Sequence, residues 1–253
     1  MDSYTEKAVQ ELKQWQRKMT RKPSLTGRLS KGWQNKVNNI IPEKVHAVLT
    51  NAIKHMVRAV LIGSEFITKS PLTEEMSFEA REALIQDKIN FYKKAAAAEG
   101  AGTGAGGIFL GLADFPLLLS IKIKFLFDAA GLYGFDVRDV KERLYILYIF
   151  QLAFSSEKRR GEVYHHILHW DEWVKTLPAS VDNIDWRLFQ QEYRDYIDLA
   201  KMLQLVPGIG AFVGAYANYH LLDKLGVTAM NCYRMRLLLK NDEEKGDPLY
   251  PKE

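Results

Sequence analysis

AAAAEGAGTGAGGIFLGLADFPLLLSIKIKFLFDAAGLYG, residues Ala95–Gly134, is the stretch on which the fold turns. Gly102-Thr103-Gly104-Ala105-Gly106-Gly107 satisfies the G-x-G-x-x-G spacing of a dinucleotide-binding turn. Such a turn needs a strand before its glycines and a helix after them. The segment that precedes it, KINFYKKAAAAE, is rich in alanine and lysine and has no period-two alternation, so it reads as helix. No Gly-Lys-Ser/Thr follows, which removes a phosphate loop as well. The glycines therefore belong to a helical protein and no nucleotide cofactor is expected.

Working outward, the helical period continues in both directions. Val9, Leu12, Trp15 and Met19 recur at three- and four-residue steps, as do Leu25, Leu29, Trp33, Val37 and Ile40. Pro42 suits a first helical turn and precedes a broad apolar stripe from Val45 to Leu61. Ser77 reads as the cap of a helix through Leu84, Ile85, Ile89 and Tyr92. Asp136 and Asp139 predict a capped start for Val140–Phe154, and a further helix is expected from Glu157 to Leu177, ended by Pro178. Another begins near Asp182 or Asp185. Pro207-Gly208 opens a second glycine-containing apolar stretch, followed by a last helix to about Lys240. The expected class is all-α, with residues 1–41 as a basic helical arm, 42–240 as one helical domain and 241–253 as a tail.

From Gly100 to Ile121 the only charged side chain is Asp114, and from Met202 to Leu222 there is none. Both stretches approach the length of a membrane span. Asp114 and Pro116 interrupt the first, and Pro207, Asn218 and His220 the second. Glycine adds no apolar area, but it lets backbones approach closely. Gly102, Gly104, Gly106, Gly107 and Gly111, then Gly208, Gly210 and Gly214, are read as two tightly packed helical hairpins. The competing reading is a hairpin that dips into a membrane, and a true spanning helix ranks last. Asp114 reads as a cap for Phe115-Pro116-Leu117, ahead of a role as a buried carboxylate for proton or ligand work.

Charge is distributed unevenly. The 253 residues carry 35 Lys/Arg against 31 Asp/Glu, a net of only +4. Residues 1–60 hold twelve basic and four acidic side chains, a balance of +8, which leaves −4 for the remainder. Lys13, Arg17, Lys18, Arg21, Lys22, Arg28, Lys31 and Lys36 follow one another with no acid between them. With Trp15 and Trp33 on the same helices, they suit a surface helix on an anionic membrane. A helix packed on the body with its charges solvated explains the pattern equally well. Nucleic acid ranks third because no reader motif is present.

The start MDSYTEKAVQELK lacks a signal-peptide pattern and Cys232 is the only cysteine, so a cytoplasmic address is expected and a disulfide framework is excluded. Glu43/His46 and Glu162/His165 match the Glu-x-x-His spacing of helical di-metal sites, and His165 and His169 are four apart. Six histidines and many glutamates produce such matches by chance, so no metal is expected. Asp114, Glu162 and His165 remain the weak acid–base set, and nothing dictates a nucleophile.

IPEKVHAVLTNAIKHMV (Ile41–Val57), EGAGTGAGGIFLGLADFPLLLSIKIKFLFDAAGLYGFD (Glu99–Asp136) and LVPGIGAFVGAYANYHLL (Leu205–Leu222) together resemble the EcsC family of bacterial proteins, most strongly its members from bacilli. The likeness extends over most of the chain. It implies an all-helical protein encoded beside a two-component ABC exporter linked to protein secretion and the processing of membrane-embedded peptides. The family brings no catalytic residue set to carry over. The expected protein is thus a cytoplasmic one at the inner face of the membrane, with transporter subunits and anionic lipid as partners, acting by binding. The alternatives are a metal- or acid/base-dependent hydrolase of lipid or peptide, and a carrier of a hydrophobic ligand.

Overall fold

A computed structural model describes residues 2–21, 43–62, 76–104, 114–177 and 211–239. Helices run over Ser3–Thr20 (α1), Glu43–Ile62 (α2), Phe78–Gly104 (α3), Phe115–Leu132 (α4), Val140–Phe154 (α5), Glu157–Leu168 (α6), Trp170–Trp173 (α7) and Ala211–Arg234 (α8). The protein is all-α. The last helix widens into a π segment over Met235–Leu239.

Short polar side chains set four of the helix starts. Asp2 accepts from the Thr5 amide (2.6 Å), Ser77 from Ala80 (3.2 Å), Asp139 from Lys141 (2.9 Å) and Ser156 from Arg159 (3.3 Å). Each satisfies an amide that the first turn leaves without a partner. α4 ends on Gly134, whose φ of 89° is open to glycine at little cost. There the amides of Gly134 and Phe135 return to the carbonyls of Gly131 and Ala130, both at 3.0 Å, closing a Schellman turn.

α5 is the centre of the core. Every residue from Glu142 to Phe154 is buried, so beyond its first two residues this helix has no solvent face. α2 lays Leu49, Ile53, Val57, Val60 and Leu61 into the same core, against α4 and α5. α3 and α8 pack along each other and α4 packs on α3. At the α3–α8 seam, a Cβ on Gly226 would lie 2.8 Å from the Ile89 side chain, so any larger residue there forces Ile89 to shift.

Three expectations are revised. The predicted helix from Glu157 to Leu177 breaks at His169 (φ −103°, ψ 42°) and finishes as a 3-10 turn, Val174–Thr176. The alanine–glycine run does not stand apart from the helix before it: α3 carries through to Gly104. From Ala211 on, the second glycine-containing stretch and the predicted last helix are likewise one continuous helix, α8. Alanine and the packing of the two helices on each other keep these segments helical despite the glycines.

Candidate functional site

α1 is held to the body at three points. Ala8, Leu12 and Trp15 are buried, with the Trp15 ring edge-on to Tyr164 at 5.8 Å. The Tyr4 hydroxyl donates to Glu82 at 2.9 Å, and Glu11 accepts from Arg234 at 2.9 Å. The Trp15 side chain therefore faces the core and not solvent. Lys13, Arg17 and Lys18, on the outer half of the same helix, and Arg21, at its C-cap, are all exposed. Among the described residues none of these four forms an ion pair, whereas Lys7 in the first half lies 3.9 Å from Glu11.

Beside this basic half runs an open groove of about 400 Å³. Its floor is Leu12, Tyr164, Leu168 and Leu239, from α1, α6 and the π segment; Lys13 and Arg17 stand on its rim with Gln16 between them. No acidic side chain among the described residues lines it.

A second recess, about 330 Å³, lies at the α6–α7 corner between His165, His166, His169, Glu172, Trp173 and Thr176. The His165 and His169 rings are 4.5 Å apart, so the i, i+4 spacing does bring them together. His166 stacks flat on Trp173 (3.7 Å between centroids, 4° between planes), and burial holds its imidazole below the usual pKa. Glu162 pairs with Arg159 at 3.0 Å. Among the described residues no three His, Cys, Asp or Glu side chains are placed to share a metal ion. The side chains of Glu43 and His46 lie outside the described residues.

The interior holds two matched ionic groups that sequence reasoning missed. Glu82, whose side chain is 0% exposed, receives Arg234 through two nitrogens (both 2.7 Å) and the hydroxyls of Tyr4 and Tyr133 (both 2.9 Å). Glu142 accepts from Arg236 at 2.6 Å and from Tyr233 at 2.8 Å. Tyr133 stacks on Tyr233 at 5.0 Å and joins the two groups, while Arg236 lies 3.8 Å over the Phe135 ring. Burial alone would weaken the charge on Arg234, but Glu82 and Glu11 more than offset it and hold its pKa above the usual value. The helix widens to π geometry at Met235, between the two arginines that reach these separate carboxylates.

Lys122 is the exception. It is fully buried on α4, and among the described residues its ammonium nitrogen meets only the Leu118 carbonyl (3.3 Å) and the Asn218 side-chain oxygen (3.2 Å). Burial pushes its pKa down to about 7. Its neighbour Lys124 reaches Asp128 at 2.9 Å, on which Lys88 and Tyr92 also converge.

The remaining predicted residues are scattered. Asp114 occupies the N-cap position of α4, but its backbone is already helical (φ −90°, ψ −5°) and its side chain makes no cap hydrogen bond, which corrects the predicted capping role. Pro116 stands in the first turn of α4, as expected. Gly102 and Gly104 lie in the last turn of α3, and Gly214 lies in α8. Gly106, Gly107, Gly111, Gly208, Gly210, Lys22, Arg28, Lys31 and Trp33 fall outside the described residues.

No helix among the described residues is long and apolar enough to cross a membrane. The EcsC protein family model matches residues 6–238. The chain is 50% identical over 230 residues to Protein EcsC of Bacillus subtilis (strain 168), covering 91% of this chain and 94% of that one. It is 31% identical over 193 residues to the uncharacterized protein YdbA of the same organism, covering 76% and 68% respectively. No solved structure matches. The glycine-rich block, the helical body and most of α1 thus fall within one matched stretch, and the chain belongs to the EcsC protein family.

Proposed function

We propose that the protein is a peripheral protein of the inner membrane face that works beside an ABC exporter in protein secretion and membrane-peptide processing, through binding and not catalysis. The observation that carries this reading is the outer half of α1. Lys13, Arg17, Lys18 and Arg21 are exposed and without ion-pair partners among the described residues, on a helix whose apolar stripe already packs on the body. Each basic side chain near an anionic leaflet contributes about 1 kcal/mol, so four suffice for reversible attachment. In this reading attachment is electrostatic, with the helix lying on the headgroups and Trp15 remaining in the core. The family's link to an exporter supplies the partner class.

The test is fractionation of cells that produce the tagged full chain, followed by cross-linking and mass spectrometry of the membrane fraction. The chain is expected with the membranes at low salt, in the wash at high salt, and cross-linked to exporter subunits. Recovery wholly in the cytosolic fraction at low salt, with no exporter cross-link, contradicts the proposal.

A further inference from the structure

We propose that the groove between α1 and α6 binds one anionic phospholipid molecule, its phosphate between Lys13 and Arg17 and one acyl chain along Leu12, Tyr164, Leu168 and Leu239. This rests on the inner-leaflet reading and narrows it from a charged surface to a defined site.

The groove separates its chemistry as an amphiphile does. Lys13 and Arg17 are four residues apart, hence neighbours on one side of α1, about one helical pitch from each other. Two exposed cations at that spacing, with no acid beside them, suit a singly charged phosphodiester, to which guanidinium and ammonium both donate charge-assisted hydrogen bonds. The floor is aliphatic and aromatic, and the volume of about 400 Å³ lies within the range of small-ligand sites. An acidic peptide fits less well. All three walls are helical or π-helical, so their backbone amides are engaged, and a peptide laid on the floor would leave its own amides without partners. An acyl chain carries no such cost.

The experiment is calorimetric titration of the full chain with dihexanoyl phosphatidylglycerol dispersed as monomers. Dihexanoyl phosphatidylcholine and glycerol 3-phosphate serve as controls. Saturable one-to-one binding is expected for the first lipid, with each control at least about tenfold weaker for want of the net charge or of the chains. The double variant Lys13→Gln/Arg17→Gln should lose about tenfold or more in affinity. Lys94→Gln/Lys141→Gln removes the same charge from exposed positions on α3 and α5, outside the groove lining, and should change it less than about twofold. Leu168→Gln should weaken the lipid and leave the glycerol 3-phosphate response unchanged. Thermal melts of each variant confirm folding.

Equal losses in the two double variants, or equal affinity for glycerol 3-phosphate, overturn the proposal in favour of a general anion surface. An absence of saturable binding overturns it as well. If the chain still floats with phosphatidylglycerol vesicles in that case, the peripheral reading survives; if it does not, both fall.

Discussion

The buried end of the bundle and the outer half of α1 treat charge in opposite ways. Around Glu82 and Glu142 each inward arginine meets a carboxylate at 2.6–2.7 Å, and tyrosine hydroxyls take further acceptor sites on both. On α1, Lys13, Arg17, Lys18 and Arg21 have no carboxylate opposite them among the described residues. Matched charge inside a protein fixes geometry at little net gain, because desolvation cancels most of the attraction. Unmatched charge outside adds almost nothing to folding and remains available to something else. The comparison assigns structure to the first region and recognition to the second.

Breaking one partner of the matched region should give the largest effect. Glu82→Gln leaves Arg234 without its main counterion in a dry site, and should cost about 3–5 kcal/mol in denaturant unfolding. Replacing both, Glu82→Leu with Arg234→Met, should recover most of that loss. If the single variant unfolds within about 0.5 kcal/mol of the parent, the ionic group is not structural.

Lys122 sharpens the comparison, since it is buried and lacks a matching carboxylate among the described residues. Its pKa of about 7 lies below the ordinary 10.5, so between those values the unfolded chain holds a proton that the folded one releases. Stability should therefore rise with pH through that window, with the full penalty present below about 7. Lys122→Met should be more stable than the parent near neutrality by about 2–4 kcal/mol and should lose the rise. Chemical unfolding at a series of pH values from 6 to 10 reads both effects. An unchanged pH slope in the variant would place its origin elsewhere.

Gly226→Ala should cost about 1–3 kcal/mol by forcing a methyl into Ile89, and Ile89→Ala in the same chain should make the alanine at 226 nearly free. A thermodynamic cycle measures the coupling. The smallest stability effect belongs to the unmatched region: Lys13→Gln/Arg17→Gln should shift unfolding by less than about 0.5 kcal/mol while reducing lipid association.

Much of the fold could be read because it rests on local signals. The Ser77 and Asp139 caps, the α2 stripe and the helical reading of the segment before the glycines all depend on residues near each other in the chain. The breaks and continuities were harder. Nothing between Glu157 and Leu177 announces the turn at His169, and glycine in a helical pattern normally argues for an end where α3 and α8 continue.

The basic half of α1 was legible as charge, but the inward direction of Trp15 depends on Tyr164, far along the chain. The groove needs three segments brought together by the fold. Glu82, Arg234 and Glu142 were invisible for the same reason: their partners are 51 to 223 residues away. Lys122 carried a usable hint. In Ile121-Lys122-Ile123-Lys124, only Lys124 has an aspartate four residues on, which left Lys122 as the lysine without a local partner.

The central claim is that the unmatched half of α1 meets an anionic membrane, and vesicle flotation tests it most directly. The full chain should float with phosphatidylglycerol-containing vesicles at low salt, stay behind with pure phosphatidylcholine, and be released as salt is raised. A variant with Lys13, Arg17, Lys18 and Arg21 all changed to glutamine should no longer float, yet melt as the parent does. Equal flotation with both vesicle types, or undiminished flotation of the variant, would contradict the account.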